Sequence, residues 1–392
     1  MPRPRLRELG IAIGTLPIGP HNAITDVPGV RVGHTTLIAG EGPLVPGVGP
    51  IRTGVTAIHP HAGNIFYEKV PAFIHAINGF GEVTNSEMVK ETGVLESPIL
   101  LTGTTNVPRV ADGVLDWFFA QDAELGVSTW TPAPVVAECS DQYLNDMRGR
   151  HLRSEHVAAA LNSASTGPVA EGGVGGGTGM MCCGFKGGIG TSSRVTPHGW
   201  TLGALVMSNF GRREHLRVDG VPVGKELRDW GLEITPLTPN PSPLNDEQTG
   251  SSIIIVVGTD APLEARQLQR VAVRAGGGLA RAGGLYSTTS GDFVIAFSNG
   301  NRVPHAPRTH TLEQRAVAES LLAGEEWPAT PAINTLFQAA LEATEEAILN
   351  SVFVAETMVG RDGNTLPALP LAEVAHIMKR YGHNLHSSTI SY

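Results

Sequence analysis

The sequence predicts an α/β protein in which β-sheets are covered on the outside by helices, and three observations carry that prediction. Ile253 to Val257 is an unbroken β-branched run, apolar on both faces, as only a strand buried in the middle of a sheet can be. Short apolar runs broken by glycine and proline fill residues 10 to 58. Two helical segments, 311–323 and 331–359, follow near the C-terminus. Strands gathered around such helices imply sheets with helices packed outside them.

Composition narrows the class further. With 48 glycines and 28 prolines among 392 residues, and only 17% charged, the chain is rich in tight turns and buried backbone and long enough for a large core. No composition break appears outside the 235–250 segment, so one compact domain over 1–392 is expected. A net charge of −9 with no basic run argues against nucleic acid and anionic membranes as partners. Cys139, Cys182 and Cys183 form no disulfide framework and suit a reducing compartment. The start Met1-Pro2-Arg3-Pro4-Arg5 lacks the apolar stretch of a signal peptide, and no apolar run approaches the roughly 20 residues of a membrane helix. A cytoplasmic protein is the expectation.

In chain order, Leu16 to Gly33 alternates apolar residues with turn signals and reads as strands and hairpins. His59-Pro60-His61 invites a metal reading, but no third ligand follows at a suitable spacing, and no metal is expected. Residues 105–122 carry Val114, Leu115, Trp117 and Phe118 at helical spacing and read as a packing helix. Val135 to Cys139 is a short strand ending in carboxylates, amides and a phenol: Glu138, Asp141, Gln142, Tyr143, Asn145 and Asp146. Strand ends facing a crevice are where α/β proteins place functional groups, although a solvent-facing turn has the same composition.

Ten of the nineteen positions from Gly172 to Gly190 are glycine, which points to backbone approaching a ligand or another backbone closely. The spacing fits neither nucleotide-binding glycine pattern. Leu202 to Met207 is a strand ending at Ser208-Asn209, where the Asn209 amide can serve a developing oxyanion or a turn. Thr235 to Pro243, with a proline at every second or third position, reads as an exposed linker. It runs into Gly250-Ser251-Ser252 and the buried strand. Asp260-Ala261-Pro262 then caps a helix, glycine turns follow at 276–278 and 283–284, and Ser287 to Asp292 leads into the strand Phe293–Phe297. On neighbouring strands, Ser290 and Asp292 would share one face and could meet Ser252.

No G-x-S-x-G or H-E-x-x-H pattern is present. A serine can instead be activated by its own α-amine if the chain is cut in front of it, which requires a linker, a hydroxyl and a rigid strand behind it. All three stand at 235–258. These stretches resemble the family of the L-aminopeptidase/D-amidase-esterase and the β-peptidyl aminopeptidases, peptidase family S58. The resemblance extends from Arg3-Pro4-Arg5 and Asn22-Ala23-Ile24-Thr25-Asp26 through Glu138-Cys139-Ser140-Asp141-Gln142, Thr178 to Val195, Gly250 to Leu263 and Ser290-Gly291-Asp292, to Thr357 to Asn364.

The resemblance implies a four-layer α-β-β-α sandwich of N-terminal-nucleophile type and a precursor that cuts itself without a metal or other cofactor. Its α chain (1–251) and β chain (252–392) would stay together and assemble as a tetramer of such pairs. It also implies removal of N-terminal residues from peptides, amides or esters with a free amine. The family's nucleophile falls on Ser252 when counted back from Thr259-Asp260-Ala261-Pro262-Leu263, and on Ser251 if glycine must precede it; the spacing to Ser290 and Asp292 favours Ser252. By the same resemblance Ser290 and Asp292 orient the nucleophile, Asn209 donates to the oxyanion, Glu138 holds the substrate ammonium and Tyr143 adds a hydroxyl. Acyl transfer, hydrolysis of a non-peptide amide, and an unprocessed small-amine binding protein are the alternatives.

Overall fold

The computed structural model describes residues 2–227, 251–306, 313–317 and 331–385. Two sheets face each other. The smaller has the order β1 (Arg31–Ala39), β2 (Ile51–His59), β5 (Ile99–Gly103), β6 (Val135–Cys139). The larger runs β13 (Val303–Pro304), β3 (Glu68–Gly79), β12 (Gly291–Ser298), β11 (Ser252–Thr259), β10 (Thr201–Asn209), β9 (Gly188–Val195), with β4 (Val94–Leu95) also on β3. A small hairpin, β7 (Met181–Cys182) and β8 (Phe185–Lys186), precedes β9.

The side-chain alternation of β11 sets the layers. Ile253, Ile255 and Val257 enter a core shared with α5 (Ala265–Ala282) and α6 (Ala332–Phe353), on the outside of the larger sheet. Ile254 and Val256 enter the other core, with Val55, Ala57 and Leu101 of the facing sheet. That second core continues to α2 (Val107–Phe119) and α3 (Ser154–Asn162), which cover the smaller sheet. The result is an α-β-β-α sandwich, and a strand buried on both faces is what such a stack requires at its centre. Shorter helices α1 (Ser86–Thr92), α4 (Val223–Glu226) and α7 (Leu371–Arg380) lie at the periphery. Among the described residues no helix is long and apolar enough to cross a membrane.

Several expectations from the sequence are corrected. The glycines at 276–278 form no turn; they lie inside α5, where a Cβ on Gly278 would come within 2.6 Å of the Leu341 carbonyl, so their smallness lets α5 and α6 touch. The chain turns instead at Gly283, whose φ of +109° suits only glycine. The helix expected over 331–359 stops at Phe353, and Val359 is half exposed in a two-residue strand, β14 (Met358–Val359), paired with β15 (Thr365–Leu366). In that helix Glu342, Glu345, Glu346 and Asn350 are buried together with its apolar side chains. Of the helix expected over 311–323, residues 313–317 have no regular structure and the rest lies outside the described residues, as does the linker at 235–250. The helix after Asp260 starts later, at Ala265, behind extended Glu264.

The glycine-rich stretch serves close backbone packing. A Cβ on Gly190 would stand 2.0 Å from the Ala347 carbonyl of α6, and on Gly188 equally close to the Gly172 carbonyl. His59 and His61 spend their Nε2 atoms on the Leu161 and Glu68 carbonyls at 3.1 and 2.8 Å. Among the described residues no group of three or more His, Cys, Asp or Glu side chains could hold a metal ion.

Candidate active site

Three strand ends converge at the site. In β11 and β12, the parallel pair at the centre of the sheet, Ser252 stands opposite Gly291; in the antiparallel pair of β10 and β11 it stands opposite Asn209. The crossover helix α5 between β11 and β12 brings the start of both strands to the same edge, beside the end of β10. Here Ser251, Asn209, Ser290 and Asp292 line a cavity of about 290 Å³, with Leu279, Leu285 and Tyr286 as its apolar wall.

Ser290 Oγ is 2.6 Å from Asp292 Oδ1 and 3.2 Å from Ser251 Oγ. A hydroxyl has one proton to give, so once Ser290 donates to the carboxylate it can only accept from Ser251 Oγ. Burial pushes the Asp292 carboxyl up to about 6, partly opposed by the Ser290 hydrogen bond and the Ile253 N–H. Asp292 Oδ2 is buried and has no hydrogen-bond partner. A carboxylate in that condition is held at the edge of ionisation.

Ser252 lies just behind this surface and is 5% exposed. Its Oγ is 2.6 Å from the carbonyl oxygen of Ser251, and that oxygen accepts the Gly291 N–H at 3.1 Å. The same N–H lies 3.4 Å from Ser252 Oγ. The Ser251–Ser252 peptide bond therefore carries a hydroxyl at its carbonyl and a backbone donor on its oxygen, the ingredients of acyl transfer. Period-two alternation gives Ser251 the face of Ile253 and Ser252 the face of Ile254, which is why Ser251, not Ser252, meets Ser290.

Asn209 is fixed through both ends of its amide. Its Oδ1 accepts the Met181 N–H at 2.8 Å and its Nδ2 donates to the Ser140 carbonyl at 3.1 Å. A backbone N–H can only donate, so the amide orientation is determined by its neighbours.

Glu138 is buried on β6, accepts the Glu82 N–H at 3.2 Å and the Thr104 hydroxyl, and is pushed up mainly by burial. It does not line the cavity, but only Gly81 separates it from Gly291: a Cβ there would stand 3.0 Å from Glu138 Oε1 and 3.1 Å from Gly291 Cα. Tyr143 is half-buried, its carbonyl accepting Asn364 Nδ2 at 2.8 Å, and it too is not among the cavity-lining residues. Asp141 and Asn145, from the same polar cluster, brace β2 instead, through Thr53 Oγ1 at 2.6 Å and the Arg52 N–H at 2.9 Å.

The sequence reading did not single out the Gly291 N–H, the Gly81 spacer or the Met181 N–H. All three act through backbone, and only a glycine at 81 and 291 hints at it.

A layered sandwich with polar groups converging on the ends of its central strands defines a hydrolase architecture of the N-terminal-nucleophile kind. It is shared with the solved L-aminopeptidase D-Ala-esterase/amidase of Ochrobactrum anthropi, described as a variant of that fold: TM-score 0.83, 36% identity, covering 97% of this chain and 99% of that one. A β-aminopeptidase from Burkholderia sp. superposes equally well, TM-score 0.83 at 42% identity, covering 97% of this chain and 100% of that one. A Pyrococcus horikoshii protein reaches 0.86 at 46% identity, with the same coverage. The pattern of peptidase family S58 matches residues 22–366. The β-peptidyl aminopeptidase of Sphingosinicella xenopeptidilytica is 42% identical over 381 residues, 96% of this chain and 91% of that one. The chain belongs to peptidase family S58 and is a hydrolase.

Proposed function

We propose that the chain is a self-processing serine aminopeptidase that cuts its own Ser251–Ser252 bond and then uses the new N-terminal serine. The observation that carries this reading is the polarised Ser251 carbonyl, with Ser252 Oγ at 2.6 Å and the Gly291 N–H at 3.1 Å on one oxygen. Ser252 Oγ attacks the Ser251 carbonyl carbon, and the oxyanion forms where Gly291 N–H already points. The C–N bond breaks as the Ser252 nitrogen takes up the hydroxyl proton, leaving an ester; water hydrolyses it to a Ser251 carboxylate, a free hydroxyl and a free α-amine. The products are an α chain, 1–251, and a β chain, 252–392, which remain associated and assemble as a tetramer of pairs.

In this reading Ser251 occupies the place a substrate residue takes later. Once it leaves, Ser252 borders the vacated space opposite Ser290. The α-amine, with an ordinary pKa of about 8, accepts the Oγ proton as Oγ attacks the substrate carbonyl, and passes it to the departing amine. Water then hydrolyses the acyl-enzyme. Ser290, held by Asp292, orients the amine and hydroxyl; Asn209 and backbone N–H groups stabilise the oxyanion. Glu138 holds the substrate's ammonium group, a charge-assisted contact that restricts the enzyme to unblocked termini.

The test uses p-nitroanilides of α- and β-amino acids, each with its amine free or acetylated. Release of nitroaniline from the free forms alone is expected. Equal rates with acetylated forms, or transfer of the acyl group to an added amine without free acid, would overturn the aminopeptidase reading.

A further inference from the structure

Behind the candidate oxyanion donor stands a buried cation that the reaction above does not use. Lys186, on β8, has no solvent exposure, and its Nζ donates to three carbonyls: Gly177 at 3.0 Å, Met180 at 3.0 Å and Gly187 at 2.7 Å. Among the described residues no carboxylate pairs with it. Burial pulls its pKa down to about 7. An ammonium solvated only by main-chain oxygens is expensive to bury, whereas a leucine or methionine would suit an apolar position in a glycine loop.

One of those carbonyls leads to the site. The Met180 C=O and the Met181 N–H belong to the same peptide unit. Its oxygen takes the Lys186 ammonium at 3.0 Å, and its N–H donates to Asn209 Oδ1 at 2.8 Å. A cation on the oxygen withdraws charge from the nitrogen and strengthens that N–H as a donor; a stronger bond to Oδ1 does the same for the Asn209 Nδ2 protons. The amide is planar, so fixing Oδ1 and sending one Nδ2 proton to Ser140 O fixes the direction of the other. Asn209 itself lines the cavity.

We propose that Lys186 is a positioning residue for the oxyanion donor, acting through the Met180–Met181 peptide to orient and polarise the Asn209 amide. This rests on Asn209 donating to the oxyanion. A lysine that merely tied the glycine loop together would stabilise the fold equally whether residue 209 were asparagine or alanine. One that acts through Asn209 loses its effect on turnover when the amide is removed.

The experiment is a double-mutant cycle on the processed enzyme, with Lys186→Met, Asn209→Ala and the pair, read as kcat and KM per cleaved chain. Asn209→Ala is expected to lower kcat about 10²–10³-fold. Lys186→Met is expected to lower kcat about fivefold with KM within about twofold, and to lower it less than about twofold in the Asn209→Ala background. An equal fold-loss in both backgrounds, or no loss of kcat from Lys186→Met alone, overturns the role of Lys186. Unchanged turnover in Asn209→Ala removes the oxyanion reading itself, so the two failures are distinct. Should Lys186→Met not fold, Lys186→Gln, which keeps a neutral donor, enters the same cycle with the same criteria.

Discussion

Asp292→Asn makes the cost of holding a carboxylate in the candidate site measurable. Burial raises the Asp292 carboxyl from 3.8 to about 6. Between those values the folded protein keeps a proton that the unfolded chain releases, so stability falls as pH rises through the window and stays lower above it. A shift of roughly two units amounts to about 3 kcal/mol at pH 7, and to about 0.5 kcal/mol at pH 4, where the folded carboxyl is protonated and the unfolded one has begun to ionise. Asparagine keeps an acceptor for the Ser290 proton and has no charge to bury. Its NH₂ replaces the unpartnered Oδ2, which adds an offset that does not depend on pH. The stability of Asp292→Asn relative to the native sequence should therefore rise by about 2 kcal/mol from pH 4 to pH 7. Urea unfolding of both proteins at intervals across that range measures it. A difference that stays flat with pH, or turns against the variant at pH 7, would refute the reasoning that burial strains this carboxylate. Turnover should fall in the same variant, since strain kept at a site is commonly tied to its chemistry.

In the proposed mechanism kcat/KM should decline below about pH 8 as the Ser252 amine takes up a proton, and fall more steeply below about pH 6 as Asp292 does; Asp292→Asn should lose the second step alone. Glu138→Gln should raise KM for substrates with a free amine at least tenfold, in a steady-state titration, because a neutral amide forfeits the charge-assisted contact. Glu346→Ala tests what holds the two proposed chains together. Glu346 accepts Arg7 Nε at 2.7 Å, Arg194 Nη2 at 2.7 Å and Asn22 Nδ2 at 2.6 Å, all from the segment before the proposed cut. Its removal leaves Arg194 with Glu342 Oε2, at 3.1 Å, as its remaining carboxylate, so the loss of three charge-assisted contacts should cost about 2–3 kcal/mol in urea unfolding, with α and β chains separating at lower urea.

Much of the architecture was legible because a β-branched run that is apolar on both faces fits a central strand and little else. The run Ile253–Val257 located that strand; that Phe293–Phe297 lies beside it was only a condition in the sequence reading, and the parallel pairing comes from the structure. Asn209 was legible as a polar residue closing an apolar strand. What the sequence could not supply depends on which backbones touch. Gly278 looks like a turn residue in sequence and is a helix contact in space, because Leu341 lies on a different helix far along the chain. The carboxylates of α6 look like a solvent face until Arg7 and Arg194, both far from them along the chain, are brought to them. The choice between Ser251 and Ser252 turns on a single residue of register, and composition carries no information about that.

The most direct test is the mass of the purified protein's chains under denaturing conditions, with the N-terminal residue of each determined. Self-processing at the polarised Ser251 carbonyl predicts two chains, the second beginning at Ser252. One uncut chain of 41.2 kDa, or a second chain beginning at Ser251, would contradict it.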